Sequence, residues 1–73
     1  MSKLVSVFVC DSNNYGISGC KVSLYTGEET RTDSNGKATL IANDSSCTVY
    51  VDGTEVYDGY VSNLPSPIIY KRS

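Results

Sequence analysis

The chain has 73 residues, 40% of them hydrophobic, so it holds one domain at most, with a core barely large enough to be stable alone. Eight acidic residues against six basic ones give a net charge of −2, which removes the electrostatic attraction on which nucleic-acid binding depends. Histidine and tryptophan are absent, so the commonest general base and metal ligand is missing. We therefore expect a non-enzymatic protein with no metal or cofactor and no nucleic-acid partner.

The first half of the chain predicts three strands, because apolar and other residues alternate with a period of two. The three alternating segments are Lys3 to Cys10, Lys21 to Tyr25 and Lys37 to Ala42. A polar stretch, Thr26 to Thr32, leads into the sequence Asp33-Ser34-Asn35-Gly36. This sequence predicts a strand-joining turn, since Gly36 can adopt a positive φ.

The second half contains the clearest hairpin signal, an Asp52-Gly53 pair between two alternating segments, Cys47 to Val51 and Thr54 to Asp58. A two-residue turn fixes the register. The predicted pairs are Val51 with Thr54, Tyr50 with Glu55, Val49 with Val56, and Thr48 with Tyr57. In this register Val49, Val51 and Val56 share one face of the hairpin, and Tyr50 and Tyr57 share the other.

The C-terminal part predicts a further short strand beginning at Tyr60 and Val61. Residues 64–73 are expected to form a proline-spaced edge strand or tail, with the strand itself at Ile68 to Lys71. No segment shows a helical period, so the fold class is all-β: a small antiparallel β-sandwich of six to seven strands, in which residues 1–73 make one domain. The predicted core consists of Val7, Val9, Val22, Leu24, Leu40, Val49 and Val51.

Three segments carry a resemblance to a known family. They are Val9-Cys10-Asp11, the run from Gly16 to Leu24, and Thr32-Asp33-Ser34-Asn35-Gly36-Lys37-Ala38-Thr39-Leu40. Over about residues 5 to 61 the chain resembles carboxypeptidase-regulatory-like and Cna-B-type domains, which have a transthyretin-like (prealbumin), immunoglobulin-like sandwich. It departs from their pattern at Gly16, where a proline is usual. The resemblance implies this fold and a role as an accessory or adhesive module.

The cysteines and the N-terminus bear on the compartment. Three cysteines, Cys10, Cys20 and Cys47, cannot all pair, and the N-terminus lacks the length and cleavage site of a signal peptide. We expect synthesis in the cytoplasm and three free thiols, with a Cys10 to Cys20 disulfide as the alternative. No run approaches the roughly 20 apolar residues of a membrane span, so no membrane partner is expected.

Six tyrosines are the one compositional excess. Tyrosine combines a large contact area with a polar hydroxyl group, which suits protein interfaces and stacking on sugar rings. The candidate contact residues are Tyr25, Tyr50 and Tyr57 on the outer surface and Ile68, Ile69 and Tyr70 in the last strand. Two hypotheses follow. In the first, the protein is a decoration or accessory protein of a larger assembly, such as a phage capsid or tail, with other proteins of the assembly and further copies of itself as partners. In the second, it is a stand-alone binding module, either a protein inhibitor or a carbohydrate binder.

Overall fold

Seven β-strands form two sheets in the computed structural model, which describes residues 3–65 and 67–72. The strands are β1 Lys3–Cys10, β2 Lys21–Leu24, β3 Glu29–Arg31, β4 Lys37–Ala42, β5 Ser46–Val51, β6 Thr54–Tyr60 and β7 Ile68–Lys71. The three-stranded sheet has the order β4-β1-β7, and the four-stranded sheet has the order β3-β2-β5-β6. The described residues contain no α-helix, only one 3₁₀ turn at Val61–Asn63. The all-β prediction is confirmed.

The core lies between the two sheets and is built from alternate residues of their strands. All seven predicted core residues belong to it, and the valines of β1 are at most 1% exposed. Such burial on a strand requires that every second side chain faces the other sheet. The structure adds six more buried residues to the cluster, namely Val5, Cys20, Ala38, Ala42, Val61 and Ile68.

Two predicted elements differ in the structure. The polar stretch contains a short strand, β3, which pairs antiparallel with β2 and places Thr30 opposite Val22. No separate strand begins at Tyr60, because β6 continues to that residue and the chain then turns at Val61–Asn63. β3 has only three residues, too few for a visible alternation.

The last strand lies at a sheet edge, as predicted, but it runs parallel to its neighbour. β7 pairs with β1, from Val7 opposite Ile68 to Cys10 opposite Lys71. The expected wholly antiparallel sandwich is therefore wrong, and the three-stranded sheet is mixed. Parallel neighbours need a long crossover connection. Along the sequence, β1 and β7 are separated by β4 and by all four strands of the other sheet, which provide this connection.

The β5–β6 hairpin has the predicted turn but only part of the predicted register. Asp52 and Gly53 both have positive φ, 51° and 85°, as a type I′ turn requires. Val51 opposite Thr54 and Tyr50 opposite Glu55 are confirmed. Beyond them the register shifts, so that the partners are Val49 with Tyr57 and Thr48 with Asp58. The predicted Val49–Val56 and Thr48–Tyr57 pairs are wrong because Val56 is the extra residue of a β-bulge.

Two turns with nearly the same sequence have the same hydrogen bonds. The carboxylate of Asp33 accepts bonds from the backbone N–H groups of Asn35 (2.8 Å) and Lys37 (3.0 Å). The carboxylate of Asp11 likewise accepts bonds from the second and fourth residues after it, at 2.8 and 3.1 Å. The fourth residue of each turn, Gly36 or Asn14, has a positive φ of 80° or 69°. An Asp-Ser-Asn sequence thus builds the same turn twice.

Both turns lie at the end of the molecule where β1 ends and β4 begins, since these strands are antiparallel neighbours. Arg72, which follows β7, also lies at this end, because its backbone N–H donates to the Cys10 carbonyl (2.7 Å). Its guanidinium pairs with the Asp52 carboxylate of the β5–β6 turn (3.2 Å). This ion pair connects the last strand of one sheet to the other sheet. Cys10, Cys20 and Cys47 are free thiols, and no Cys10–Cys20 disulfide is formed.

Candidate interaction surfaces

The bulge in β6 separates the two tyrosines that the sequence placed together. Tyr57 lies opposite the fully buried Val49, and directly opposed residues point to the same side of a sheet. Its ring is half-buried against the core, and its hydroxyl donates to the Tyr60 carbonyl (2.6 Å). Tyr50 lies opposite Glu55 on the outer side. The prediction that Tyr50 and Tyr57 share an outer face is therefore wrong.

The outer side of the four-stranded sheet carries a different set of tyrosines, which we call the tyrosine face: Tyr25, Tyr50 and Tyr60. Tyr25 is 78% exposed, and its backbone N–H donates to the Thr48 carbonyl (3.0 Å), two residues along β5 from Tyr50. Tyr60 is 65% exposed and lies opposite Ser46. Along β5, Ser46 is two residues from Thr48 in the direction away from Tyr50. The spacing of two residues puts all three on one side of the sheet.

Acidic groups accompany the tyrosine face. Glu55 lies opposite Tyr50, and the carboxylate of Asp58 accepts a hydrogen bond from the hydroxyl of Thr48 (3.0 Å). Glu29 on the same side is paired with Lys21 (2.9 Å), in a bridge whose two side chains are both about half exposed. Exposed rings beside carboxylate acceptors can stack on an apolar or sugar surface and accept its hydrogen bonds.

The outer side of the three-stranded sheet carries exposed aliphatic residues, of which only Ile69 was identified from the sequence. We call it the aliphatic face: the exposed Leu4, Ile41 and Ile69, with the half-buried aromatic Phe8 beside them. Leu4 is 61% exposed and directly opposite Ile41, which is 49% exposed. The half-buried Phe8 lies beside Ile69, which is 63% exposed. The signal was present in the sequence, because these residues alternate with the buried set on β1, β4 and β7.

The aliphatic face is basic at one end. Lys37 lies opposite Phe8 on β4, and Lys71 follows Ile69 at spacing two on β7. The two outer faces of the molecule therefore differ in character. One is aliphatic and basic, and the other carries tyrosines among both acidic side chains (Glu29, Glu55, Asp58) and basic ones (Lys21, Arg31).

The three candidate residues of the last strand have three different positions. Ile68 is 4% exposed and belongs to the core, so it is not a contact residue in the folded chain. Tyr70 is half-buried and packs against the same core. Only Ile69 is available on the surface. The prediction of an accessible Ile68-Ile69-Tyr70 strand is corrected in this respect, because neighbouring strand residues face opposite sides.

A pocket of about 230 Å³ lies near the end opposite the two Asp-Ser-Asn turns. Leu24, Ala42 and Cys47 contribute to its lining, together with Tyr25 and Asp44. Burial, assisted by the nearby Asp58 carboxylate, raises the pKa of the Cys47 thiol. A raised pKa keeps this thiol protonated at neutral pH, and a protonated thiol is a poor nucleophile.

Within residues 3–65 and 67–72, no cluster of three or more His, Cys, Asp or Glu side chains could hold a metal ion. No helix among these residues is long and apolar enough to cross a membrane. Comparison of the chain with family models, curated proteins and solved structures found no match.

Proposed function

We propose that the protein is a non-enzymatic structural and interaction module, which serves as a small decoration or accessory protein of a larger assembly such as a phage capsid or tail. One observation carries this proposal: the outer faces of both sheets expose large apolar side chains. Exposed apolar side chains contribute little to the stability of a small domain that is alone in water, whereas neighbouring proteins on both sides would bury these side chains.

The proposal includes an immunoglobulin-like or transthyretin-like type of sandwich. Its support is the run from Thr32 to Leu40, which carries the sequence resemblance. This run forms the Asp33 turn followed by β4, and turn-then-strand is the role that the resemblance implies for it. Thr32 is buried, and its hydroxyl donates to the Ile17 carbonyl (2.6 Å) and accepts from the Cys20 N–H (2.9 Å). The run therefore has a structural role.

The aliphatic face is the main contact surface in this proposal. Burial of one Leu or Ile side chain stabilises a complex by about 1.5–3 kcal/mol relative to its exposure to water. Leu4, Ile41 and Ile69 offer three such side chains on one side of a sheet. Lys37 and Lys71 at one end of the face favour a neighbour whose apolar patch has an acidic rim.

The test is incorporation of a variant into the assembly in the organism that makes the protein. Leu4→Thr with Ile69→Thr removes two aliphatic contacts, and the β-branched threonines keep the strand preference. We expect the variant to fold, as judged by thermal unfolding, and to leave the particle fraction for the soluble fraction. Tyr15→Ser is the matched control, because Tyr15 is 71% exposed but lies in a turn outside both faces. Retention of the double variant in particles would contradict the proposal.

A second candidate, a stand-alone carbohydrate binder, is favoured by one observation: Tyr25 and Tyr60 are exposed on the side of the sheet that carries the Asp58 carboxylate, with Tyr60 two residues from Asp58 and Tyr25 across Thr48 from it. Flat aromatic rings with nearby acceptors suit sugar rings and their hydroxyl groups. Titration with neutral oligomers of glucose and of N-acetylglucosamine, followed by amide NMR, tests it. Shifts at Tyr25, Thr48 and Tyr60 that are lost in Tyr25→Ser would favour this function, and absence of shifts would exclude these ligands.

A further inference from the structure

We propose that the free edge of β4 pairs with β4 of a second copy, which gives a two-fold dimer with a continuous six-stranded sheet. The sheet order would be β7-β1-β4 followed by the same strands of the other copy in reverse. The proposal concerns the chain by itself and does not depend on the proposed place in a larger assembly.

Three of the four strands at the sheet edges carry features that hinder pairing. β3 has three residues and two charged ends, Glu29 and Arg31. β6 contains the bulge and presents Glu55 and Asp58. β7 has four residues, follows Pro67 and is followed by Arg72. Short length, bulges, charges and prolines are the ordinary means by which proteins protect sheet edges from each other.

β4 lacks this protection. It has six residues, its ladder with β1 is regular throughout, and its sequence Lys-Ala-Thr-Leu-Ile-Ala contains no proline or glycine. Its one charged residue is Lys37, at the first position. A long, regular and uncharged edge with an exposed apolar residue such as Ile41 is a template for another strand.

The hydrogen bonds at the start of β4 show which backbone groups point outward. The Gly36 carbonyl accepts from the N–H of Val9 on β1, so Gly36 faces that strand. The N–H and C=O of Lys37 instead bond to Asp33, away from β1. The groups alternate along an antiparallel strand, so those of Thr39 and Ile41 also point away from β1 and face the free edge.

These groups determine the pairing. Antiparallel self-pairing must oppose residues that face the same side, so one residue of the strand lies opposite the same residue of the other copy, with the two-fold axis between them. If Leu40 lies opposite Leu40 of the other copy, Thr39 of each copy lies opposite Ile41 of the other. The outward N–H and C=O groups of Thr39 and Ile41 are then all hydrogen-bonded. This register leaves the Lys37 backbone bonded to Asp33.

The same register is favourable for side chains. Thr39 and Ile41 are β-branched and would pair across the outer surface. Lys37 would lie opposite Asn43 of the other copy and next to its Asp44, whereas the two Lys37 side chains would be far apart. Opposite charges thus meet at both ends of the pair.

A standard stable interface buries about 800 Å² of accessible surface on each partner, and the pairing of one short strand buries less than this. We therefore expect a weak dimer, with a dissociation constant between micromolar and millimolar. If two copies of the chain were bound side by side on a larger surface, their effective concentration would be higher, which would favour the same β4–β4 pairing.

Sedimentation equilibrium of the purified chain from micromolar to millimolar concentration tests the proposal. We expect the mass to rise from 7.9 kDa toward twice that value. Ile41→Lys places a charge on the edge and should keep the chain monomeric. Leu4→Lys is the matched control: it adds the same charge on the same face, directly opposite on β1, and should leave the dimer intact.

Amide hydrogen exchange of the unmodified chain supplies a readout that needs no variant. The N–H groups of Thr39 and Ile41 should exchange freely in dilute samples and become protected in concentrated ones. Those of Ala38 and Leu40 should be protected in both. A constant monomer mass, concentration-independent exchange at Thr39 and Ile41, equal loss of the dimer in both lysine variants, or no loss in either would each overturn the proposal.

Discussion

The backbones of Gly16 and Gly36 are in direct contact: a Cβ atom on Gly36 would lie 2.6 Å from the Cα of Gly16. A Cβ on Gly16 would in turn overlap the carbonyl of Asn35. The N–H of Ile17, next to this contact, donates to the carbonyl of Val9 on β1 (2.9 Å), and the N–H of Val9 donates to the Gly36 carbonyl (2.8 Å). Val9 thus joins the loop after β1 to the turn before β4. The contact explains why glycine occupies position 16.

Gly36→Ala should destabilise the protein by at least about 3 kcal/mol, because it combines a positive φ with overlap against backbone atoms that have no room to move. Gly53→Ala is the control. Gly53 has a similar φ, 85° against 80°, but nothing lies within 4 Å of its added Cβ. The control should cost only the strain of the left-handed region, about 1–2 kcal/mol. Equal unfolding free energies for the two variants in urea would disprove the contact.

The matching turn offers the reverse change. Asn14 has the position of Gly36 in the Asp11 turn and a φ of 69°. Asn14→Gly relieves the strain of a side chain in this region and should stabilise the protein by about 0.5 kcal/mol. Denaturant midpoints measure this. A lower midpoint for the glycine variant would show that the Asn14 side chain makes a contribution that outweighs the strain.

The Asp33 turn should make stability depend on pH. Hydrogen bonds from the backbone N–H groups of Lys37 and Asn35 lower the pKa of the Asp33 carboxyl. The pKa of Asp33 is thus lower in the folded than in the unfolded chain. The ionised carboxylate therefore stabilises the fold fully at pH values above the ordinary aspartate range, and this stabilisation is lost as the pH falls through the pKa of the folded chain. The stability difference between wild type and Asp33→Asn should therefore shrink on acidification below about pH 4. Asp44→Asn, in the exposed β4–β5 turn, is the control, and an equal acid response in both variants would contradict the assignment.

The bulge predicts opposite roles for two tyrosines. Tyr57→Ser should cost about 2 kcal/mol because the ring packs on the core, and Tyr50→Ser should cost less than about 1 kcal/mol. Tyr57→Phe isolates the hydrogen bond to the Tyr60 carbonyl and should cost about 1 kcal/mol. Thermal unfolding of the three variants decides the matter. Equally small losses at Tyr50 and Tyr57 would contradict the bulge and support the unbulged register, in which both rings lie on the outer face.

The elements that could be predicted from the sequence are those with clear alternation. The bounds of β1 and β4 and the seven core residues follow from a period of two, and the Asp52-Gly53 turn follows from its residue types. The bulge has no such signal, because Glu55 to Asp58 contains neither glycine nor proline. One extra residue reverses the side on which Tyr57 lies, so the predicted tyrosine pair failed although the hairpin was right.

The contact surfaces were predictable in part. Tyr25 and Tyr50 were identified from the alternation, and Tyr60 was reachable only with the bulge known. Leu4 and Ile41 were missed for a different reason: they belong to no compositional excess like that of the six tyrosines, although they lie next to predicted strand residues and point outward by the same period of two. The parallel direction of β7 depends on the path of the chain between the sheets, which local sequence does not encode.

The most direct test of the account is the size of the protein in the material from which it naturally comes. Gradient sedimentation of that material, with the protein detected by antibody, separates a particle component from a free chain of 7.9 kDa. We predict that most of the protein sediments with a large particle and is released as monomer or dimer only when the particle is dissociated. Sedimentation of nearly all of it as a small free species, in undissociated material, would contradict the proposed function.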